Sequence, residues 1–502
     1  MKQITKLLLA TAFMLVCTMT TQASHLMGGD IWVEKDAQGH HILKHKNFRD
    51  TLGILAYAET DFRGFKWNTT TSTWDPILVP PTMSLKMPMD SLTSGFLLQG
   101  VPYGIEMYNY KSDTLLLDSI FALNGNGRYR FYTDECCRNA AIQNLTVKTS
   151  MIIHCEYTYD PIAANQSPRY LAIPVFFGPV NSQWVYNPLP FDPDADSIAW
   201  VVDTPVCYAN SNNSAYTYCG GYTTPSSVST GPFTLNNTSG QLDWTPNTVG
   251  NFVASFKVSE YRGGVEIGNT IRDMQYIVVP DSNSNGPVIL PEFIPVTNFA
   301  TGGNQSSSSN YNYMYYYPGS QFTFTVGAMD QNNGDVLTMS AFGNLFEDNS
   351  ATFVYAPTGN GNMVNGTITW TPGVNETRDQ MIVIRANDGT FSKDFTIILK
   401  RFEAPNAVND IDETAANISI YPNPAKADQL ISLKVVTEES LKDLNIRIVD
   451  LTGKLVSNQE VTQISSGVST IELDQRLQAG FYFAQIIDSK ENKIQTVKFV
   501  VQ

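Results

Sequence analysis

The chain is poor in the residues that do chemistry. Its 502 positions hold only 5 histidines, namely His25, His40, His41, His45 and His154, and no G-x-S-x-G elbow, so a serine hydrolase triad has no nucleophile to build on. His41 and His45 are four apart, but on a strand that separates them by about 13 Å, too far to share one metal. The 6 cysteines lack the paired spacing of a zinc site. Lys and Arg number 32 against 47 acidic residues, a net charge of -15 with pI near 4.8. Phosphate backbones need the opposite balance, so no nucleic-acid partner is expected. Beyond the opening segment, no apolar run is long enough for a transmembrane anchor. Within residues 418–502, helical periodicity is missing too.

What is present is alternation. Thr, Asn, Ser, Tyr, Val and Gly dominate, and short apolar-alternating runs are punctuated by Gly, Asn and Asp turns, the pattern of half-buried strands. An all-β chain is therefore expected. At the front, Lys2 and Lys6 precede the apolar run Leu7–Val16, and Thr21-Gln22-Ala23 offers a cut ahead of Ser24; residues 1–23 read as a secretory signal peptide. Cys17 is not preceded by the small residue that lipidation would want. Between signal and tail lie roughly 380 residues, too many for one sandwich core and enough for three. The expected modules are 24–155, 156–280 and 281–402, then an acidic, patternless linker at 403–417 and a tail at 418–502. In the first module the expected strands are Asp30–Glu34, His41–His45, Gly53–Glu59, Gly104–Tyr110, Arg128–Tyr132 and Thr146–His154.

The tail opens ISIYPNPAK and alternates through Leu430–Val436, Leu444–Leu451, Thr470–Leu473, Phe481–Ile487 and Thr496–Val501, which reads as a small β-sandwich of its own. Four motifs stand in order: Tyr421-Pro422-Asn423-Pro424, then Asp450-Leu451-Thr452-Gly453-Lys454, then Gly480-Phe481-Tyr482, and a close of Lys498-Phe499-Val500-Val501. Together they resemble the type A C-terminal sorting domain of the type IX secretion system of Gram-negative bacteria. That resemblance implies export across the outer membrane, the secretion machinery as a partner, and a secreted or surface-attached destination. Its sorting-motif positions here are Tyr421, Pro422, Asn423, Pro424, Gly453, Lys454, Gly480 and Lys498. The opening SHLMGGDIWVE and the later CCRNAAIQNL look like the N-terminal module of long surface proteins of such secretors, some associated with gliding and adhesion.

Modules two and three share a pattern. Gly240-Gln241-Leu242-Asp243-Trp244-Thr245-Pro246 recurs as Gly366-Thr367-Ile368-Thr369-Trp370-Thr371-Pro372, after an Asp-rich turn and before an alternating strand (Asn251–Ser259, Gln380–Ala386). The Trp of each copy is expected to fill a core and the Pro to end a strand. The pattern resembles immunoglobulin-like or cadherin-like repeats of bacterial surface proteins, whose closing A-x-D-G element matches Ala386-Asn387-Asp388-Gly389. The second module departs there, with Ser259-Glu260-Tyr261-Arg262-Gly263-Gly264. The fold class is thus tandem immunoglobulin-like/cadherin-like β-sandwiches with a small C-terminal β-sandwich.

The best chemical site is Asp192-Pro193-Asp194-Ala195-Asp196, three carboxylates able to converge on a calcium ion. The spacing begins like an EF-hand, with Asp203 twelfth, but Ser197 sits where that loop needs glycine. The alternative is a solvated turn whose Asp side chains bond local amides. Asp330 and Asp335 form a second, weaker candidate, diluted by Asn332 and Asn333. Calcium is the only cofactor these residues suggest. Cys207 and Cys219 bracket a polar loop, and a bridge there would contribute on the order of 3 kcal/mol. Of the rest, Cys136 or Cys137 joins Cys155, with Cys137–Cys155 the expected pair, or the neighbours form a vicinal bridge. The five tyrosines of residues 311–317 read as an aromatic strand face or a sugar-stacking patch. Asp90-Ser91-Leu92, Asp118-Ser119-Ile120 and Asp196-Ser197-Ile198 resemble the O-glycosylation sequon of these secretors. The function expected is a non-enzymatic adhesin-like or structural spacer with a surface glycan or protein ligand. The alternative is a secreted glycan-active enzyme, such as a carboxylate-pair glycosidase, or a carbohydrate-binding accessory protein.

Overall fold

A computed structural model describes residues 26–53, 55–99, 104–212, 215–236, 239–280, 286–295, 311–332, 335–359, 362–401, 416–437, 440–450, 454–473, 476–488 and 493–502. The expected signal peptide lies outside the described residues, as does the linker at 403–417 apart from its last two positions. The chain divides into two compact units, residues 1–401 and 402–502, and the described residues are almost entirely strand. The fold is all-β.

The hub of the first unit is the strand Val265–Val279, which pairs along its length with Gly250–Arg262. Its other edge carries Ser150–Tyr159, Leu26–Lys35 and, in parallel, Phe177–Pro179. One sheet of thirteen strands therefore runs from Thr73–Pro76 through the hub to Phe96–Gln99. The strand Ser150–Tyr159 passes through the expected boundary at residue 155, and both expected modules contribute to the one sheet. The hub is buried on both faces, so its polar residues must be paired. Arg272 bonds Asp30 and the Ala172 carbonyl, and the Arg138 guanidinium bonds Asp273. Gly28 lets Leu26–Lys35 approach: a Cβ there would meet the Asp273 carbonyl.

Two differences from the expected elements have local causes. Residues 53 and 55–58 are bend and irregular chain, and the strand is Glu59–Asn68. Leu116–Asn124, where no strand was expected, is a helix; Leu116, Leu117, Ile120 and Phe121 share its buried face, and Gly125, at positive φ, ends it. That helix packs under the first core with Phe131, Tyr129 and Tyr157.

The second core gathers around Trp244, which meets Trp184, Phe252 and Tyr276 edge-to-face. The third is a sandwich of two four-stranded sheets closed over Trp370, with Tyr316 against it at 4.8 Å. Both repeated tryptophans fill cores. In the third sandwich, Ile382, Ile384, Ile397 and Leu399 face inward. The opposite face of the same strands (Val383, Arg385, Asp394, Thr396) is buried as well, because residues 171–189 cover it. Val383 packs on Ala172 and Leu189. The Asn187 amide donates to Asp394 at 3.0 Å and its side chain to Thr396 at 2.8 Å, while Arg385 grips Asp394 through two bonds. The hairpin tip at Phe391 reaches a separate cluster made of Met27, Phe48, Phe176, Phe177 and Ile277. The second unit is a sandwich of a three-stranded and a four-stranded sheet over Ile431, Leu433, Ile446, Ala484 and Phe499.

Candidate acidic sites, disulfides and the sorting tail

In the second module the three expected carboxylates do converge, with ligand oxygens within 4.8 Å of one another. Asp192 curls the turn by accepting the amides of Asp194 and Asp196 on Oδ1. Asp194 accepts the Gln166 amide at 2.5 Å, and Asp196 takes a two-pronged bond from Arg262. Glu260, fully buried beside Asp192, receives the Asn165 side-chain amide at 2.8 Å. Burial first, with the Asp192 charge, pushes its carboxyl up to about 9, so it holds a proton at neutral pH. Asp203 lies at the far end of the strand Ser197–Asp203 and bonds the Thr204 amide, away from the turn. A cation here has to displace Arg262.

The third module forms the same junction differently. Asp330 and Asp335 are joined by Asp388, which stands out in sequence only as part of A-x-D-G, again within 4.8 Å. Asp330 accepts the Asn332 amide on Oδ1, while its Oδ2 is buried with no hydrogen-bond partner. Asp335 makes no ion pair or hydrogen bond among the described residues. Glu260, Arg262 and Asp388 join these sites without having been expected there. All three lie in the aligned strand-end segments of the two repeats, and that alignment was the available signal.

Cys207 and Cys219 are bridged, closing the polar loop as expected. The expected Cys137–Cys155 pair does not form: Cys136 bonds Cys137, and Cys155 is a free thiol buried in the first core. Cys155 points among Phe131, Tyr129 and Tyr157 from the middle of its strand, where burial raises its pKa and keeps it protonated. Among the described residues, three histidines tie elements together. His40 and His41 both bond Asp118, tying the helix to the strand His41–Asp50, and His45 bonds the Asp30 carbonyl. Of the sequon serines, Ser91 and Ser197 are exposed and Ser119 is half-buried in the helix. Tyr316 is core and Tyr317 is 39% exposed.

A cleft of about 550 Å³ separates the second and third modules, lined by Phe191, Ile198, Trp200, Asp196, Asp379 and Gln380 among others. Among the described residues, no helix is long and apolar enough to cross a membrane.

In the tail, the motifs meet in space. Asn423 accepts the Val500 amide at 3.0 Å and donates to the Lys498 carbonyl, and Ala425 pairs with Val501. Lys498 lies 5.3 Å from the Phe481 ring centroid, and a Cβ on Gly480 would meet the Tyr482 ring. The Lys454 amide donates to Asp450 Oδ1 at 3.1 Å; Gly453 lies outside the described residues. The entry motif is thus stapled to the final strand.

No curated protein matches the chain. Among solved structures, an endo-fucoidan hydrolase of glycoside hydrolase family 107 aligns at 12% identity over 68% of this chain and 44% of its own, TM-score 0.17. A titin I-band fragment aligns at 8% over 68% and 99%, TM-score 0.17. Latent PorU from Porphyromonas gingivalis aligns at 13% over 69% and 35%, TM-score 0.15. The chain spans less than half of the hydrolase and about a third of PorU. Residues 419–502 match the family model described as the secretion system C-terminal sorting domain. With its four motifs folded onto one another, this tail makes the protein an all-β cargo of type IX secretion, exported to the cell surface or beyond.

Proposed function

We propose that the exported body, residues 24–401, is a non-enzymatic structural or adhesin-like protein whose modules are held in fixed relation. The observation that carries this reading is the burial of charged and polar groups at its joints. The Arg385–Asp394 pair, Asn187, Thr396 and Gln241 form one network between the second and third modules, and Asp30–Arg272 spans the first and second. Such groups are satisfied only in one arrangement, so a joint built from them resists bending. A protein that must hold its ends at a set separation, or present loops such as Cys207–Cys219 rigidly, needs joints of this kind.

A carbohydrate-binding accessory role is the second reading, favoured by the cleft, whose lining includes Trp200 and Phe191 together with Asp379 and Gln380. A hydrolysis screen and a glycan array on the purified exported body separate these. Turnover of any polysaccharide overturns the non-enzymatic reading. Glycan binding lost in Trp200→Ala supports the accessory role, and binding to cells or matrix without glycan dependence supports the adhesin.

A further inference from the structure

We propose that Asp330, Asp335 and Asp388 bind one calcium ion, and that this ion fixes the hairpin tip that seats Phe391 in the body formed by the first two modules. Three carboxylate oxygens within 4.8 Å of one another fit around a single ion, since opposite ligands of calcium are separated by about twice its 2.3–2.6 Å bond length. The oxygen-only donor set is that of a hard cation. Asp330 supplies an independent sign: the residue is 5% exposed, and Oδ2 has no hydrogen-bond partner. An ionised oxygen in that position is costly unless something positive meets it. Asp335 has no cationic side chain paired with it among the described residues, so none has to be displaced.

The link to Phe391 runs through one carboxylate. Asp388 Oδ1 accepts the amides of Thr390 at 2.7 Å and Phe391 at 2.6 Å, and the Asp388 amide donates to the Phe391 carbonyl at 3.1 Å. Phe391, 3% exposed, packs with Met27, Phe48, Phe176, Phe177 and Ile277. Without the ion, three negative groups repel across the base of this tip. With it, Asp388 is fixed, and so are the amides it holds. The ring then enters its pocket from a prearranged turn.

The proposal holds whether the body is a spacer or a glycan binder, and its test does not read either activity. The purified full chain is freed of metal with chelator and titrated with calcium chloride by calorimetry, with magnesium chloride as the comparison ion. Amide hydrogen exchange is followed in parallel. One equivalent of calcium is expected, with a Kd of about 10⁻⁴–10⁻³ M, the range of extracellular modules, and at least tenfold weaker magnesium binding. Asp335→Asn, at a half-buried position outside the hydrogen-bonded turn, should weaken calcium at least tenfold without unfolding the chain. Asp388→Asn should do the same. Calcium should slow exchange at 386–391 and at 176–177, and Phe391→Ala should retain calcium binding while removing the effect at 176–177. Absence of calcium binding, or wild-type affinity in Asp335→Asn, overturns the site. Binding that leaves exchange at 176–177 unchanged in the wild-type chain overturns the coupling.

Discussion

The second and third modules place an acidic turn against the end of a later strand, with a Trp-Thr-Pro strand between the two in sequence. In the second module much of the charge is met from within: Arg262 takes Asp196, a Gln166 amide takes Asp194, and burial beside Asp192 raises the Glu260 carboxyl, although Asp192 Oδ2, like Asp330 Oδ2, is buried without a hydrogen-bond partner. In the third, Asp388 stands where the segment bearing Glu260 and Arg262 stood, and a third carboxylate joins the other two. The same frame thus yields a turn tied to Arg262 in one copy and, in the other, three carboxylates gathered around the strand end, where calcium is proposed to bind. The choice is made by a handful of residues at a strand end, far from the tryptophan that defines the repeat.

The comparison breaks first if the two cores are not equivalent. Trp244→Ala and Trp370→Ala should each cost about 3–5 kcal/mol in denaturant unfolding, the usual range for a buried Trp; a cost near zero for either would mean that its module is not built around the repeat. The next largest effect concerns Glu260. Its folded pKa, about 9, lies above its ordinary 4.5, so between those values the folded chain holds a proton that the unfolded chain has released. Stability therefore falls as pH rises through this window, by up to about 1.4 kcal/mol per pH unit. Thermal unfolding followed across that window should show this slope, and Glu260→Gln should flatten it. The smallest effect sharpens the contrast most. Arg262→Ala should cost only about 1 kcal/mol, because the guanidinium is partly exposed. It should nevertheless turn the second turn into a cradle, raising the calcium equivalents measured by calorimetry from one to two.

Much of the third module and the tail was legible in sequence because alternation there is undisturbed: Met363–Trp370 reads buried at every second position, and the tail strands do the same. Legibility failed where burial is two-sided. The hub Val265–Val279 carries Arg272 and Asp273 inside, and no periodic pattern marks charged residues as core when their partners, Asp30 and Arg138, are distant in sequence. The helix Leu116–Asn124 is short and bounded by residues that also make turns. At the acidic sites the turns were visible but their ranking was not. Counting carboxylates favours Asp192–Asp196, but it cannot show the company they keep: Arg262 in one case, Asp388 in the other.

The long hub strand also sets a schedule. Arg272 meets Asp30 across 242 residues, and Leu26–Lys35 and Ser150–Tyr159 both rest their edges on that strand. As the chain emerges from its amino end, those two edges stay open until the hub has followed, so the first half cannot close by itself. Pairings of such reach make slow folders with exposed edges in the interim. The early portion of an exported chain thus waits, unfinished, for a segment more than two hundred residues behind it.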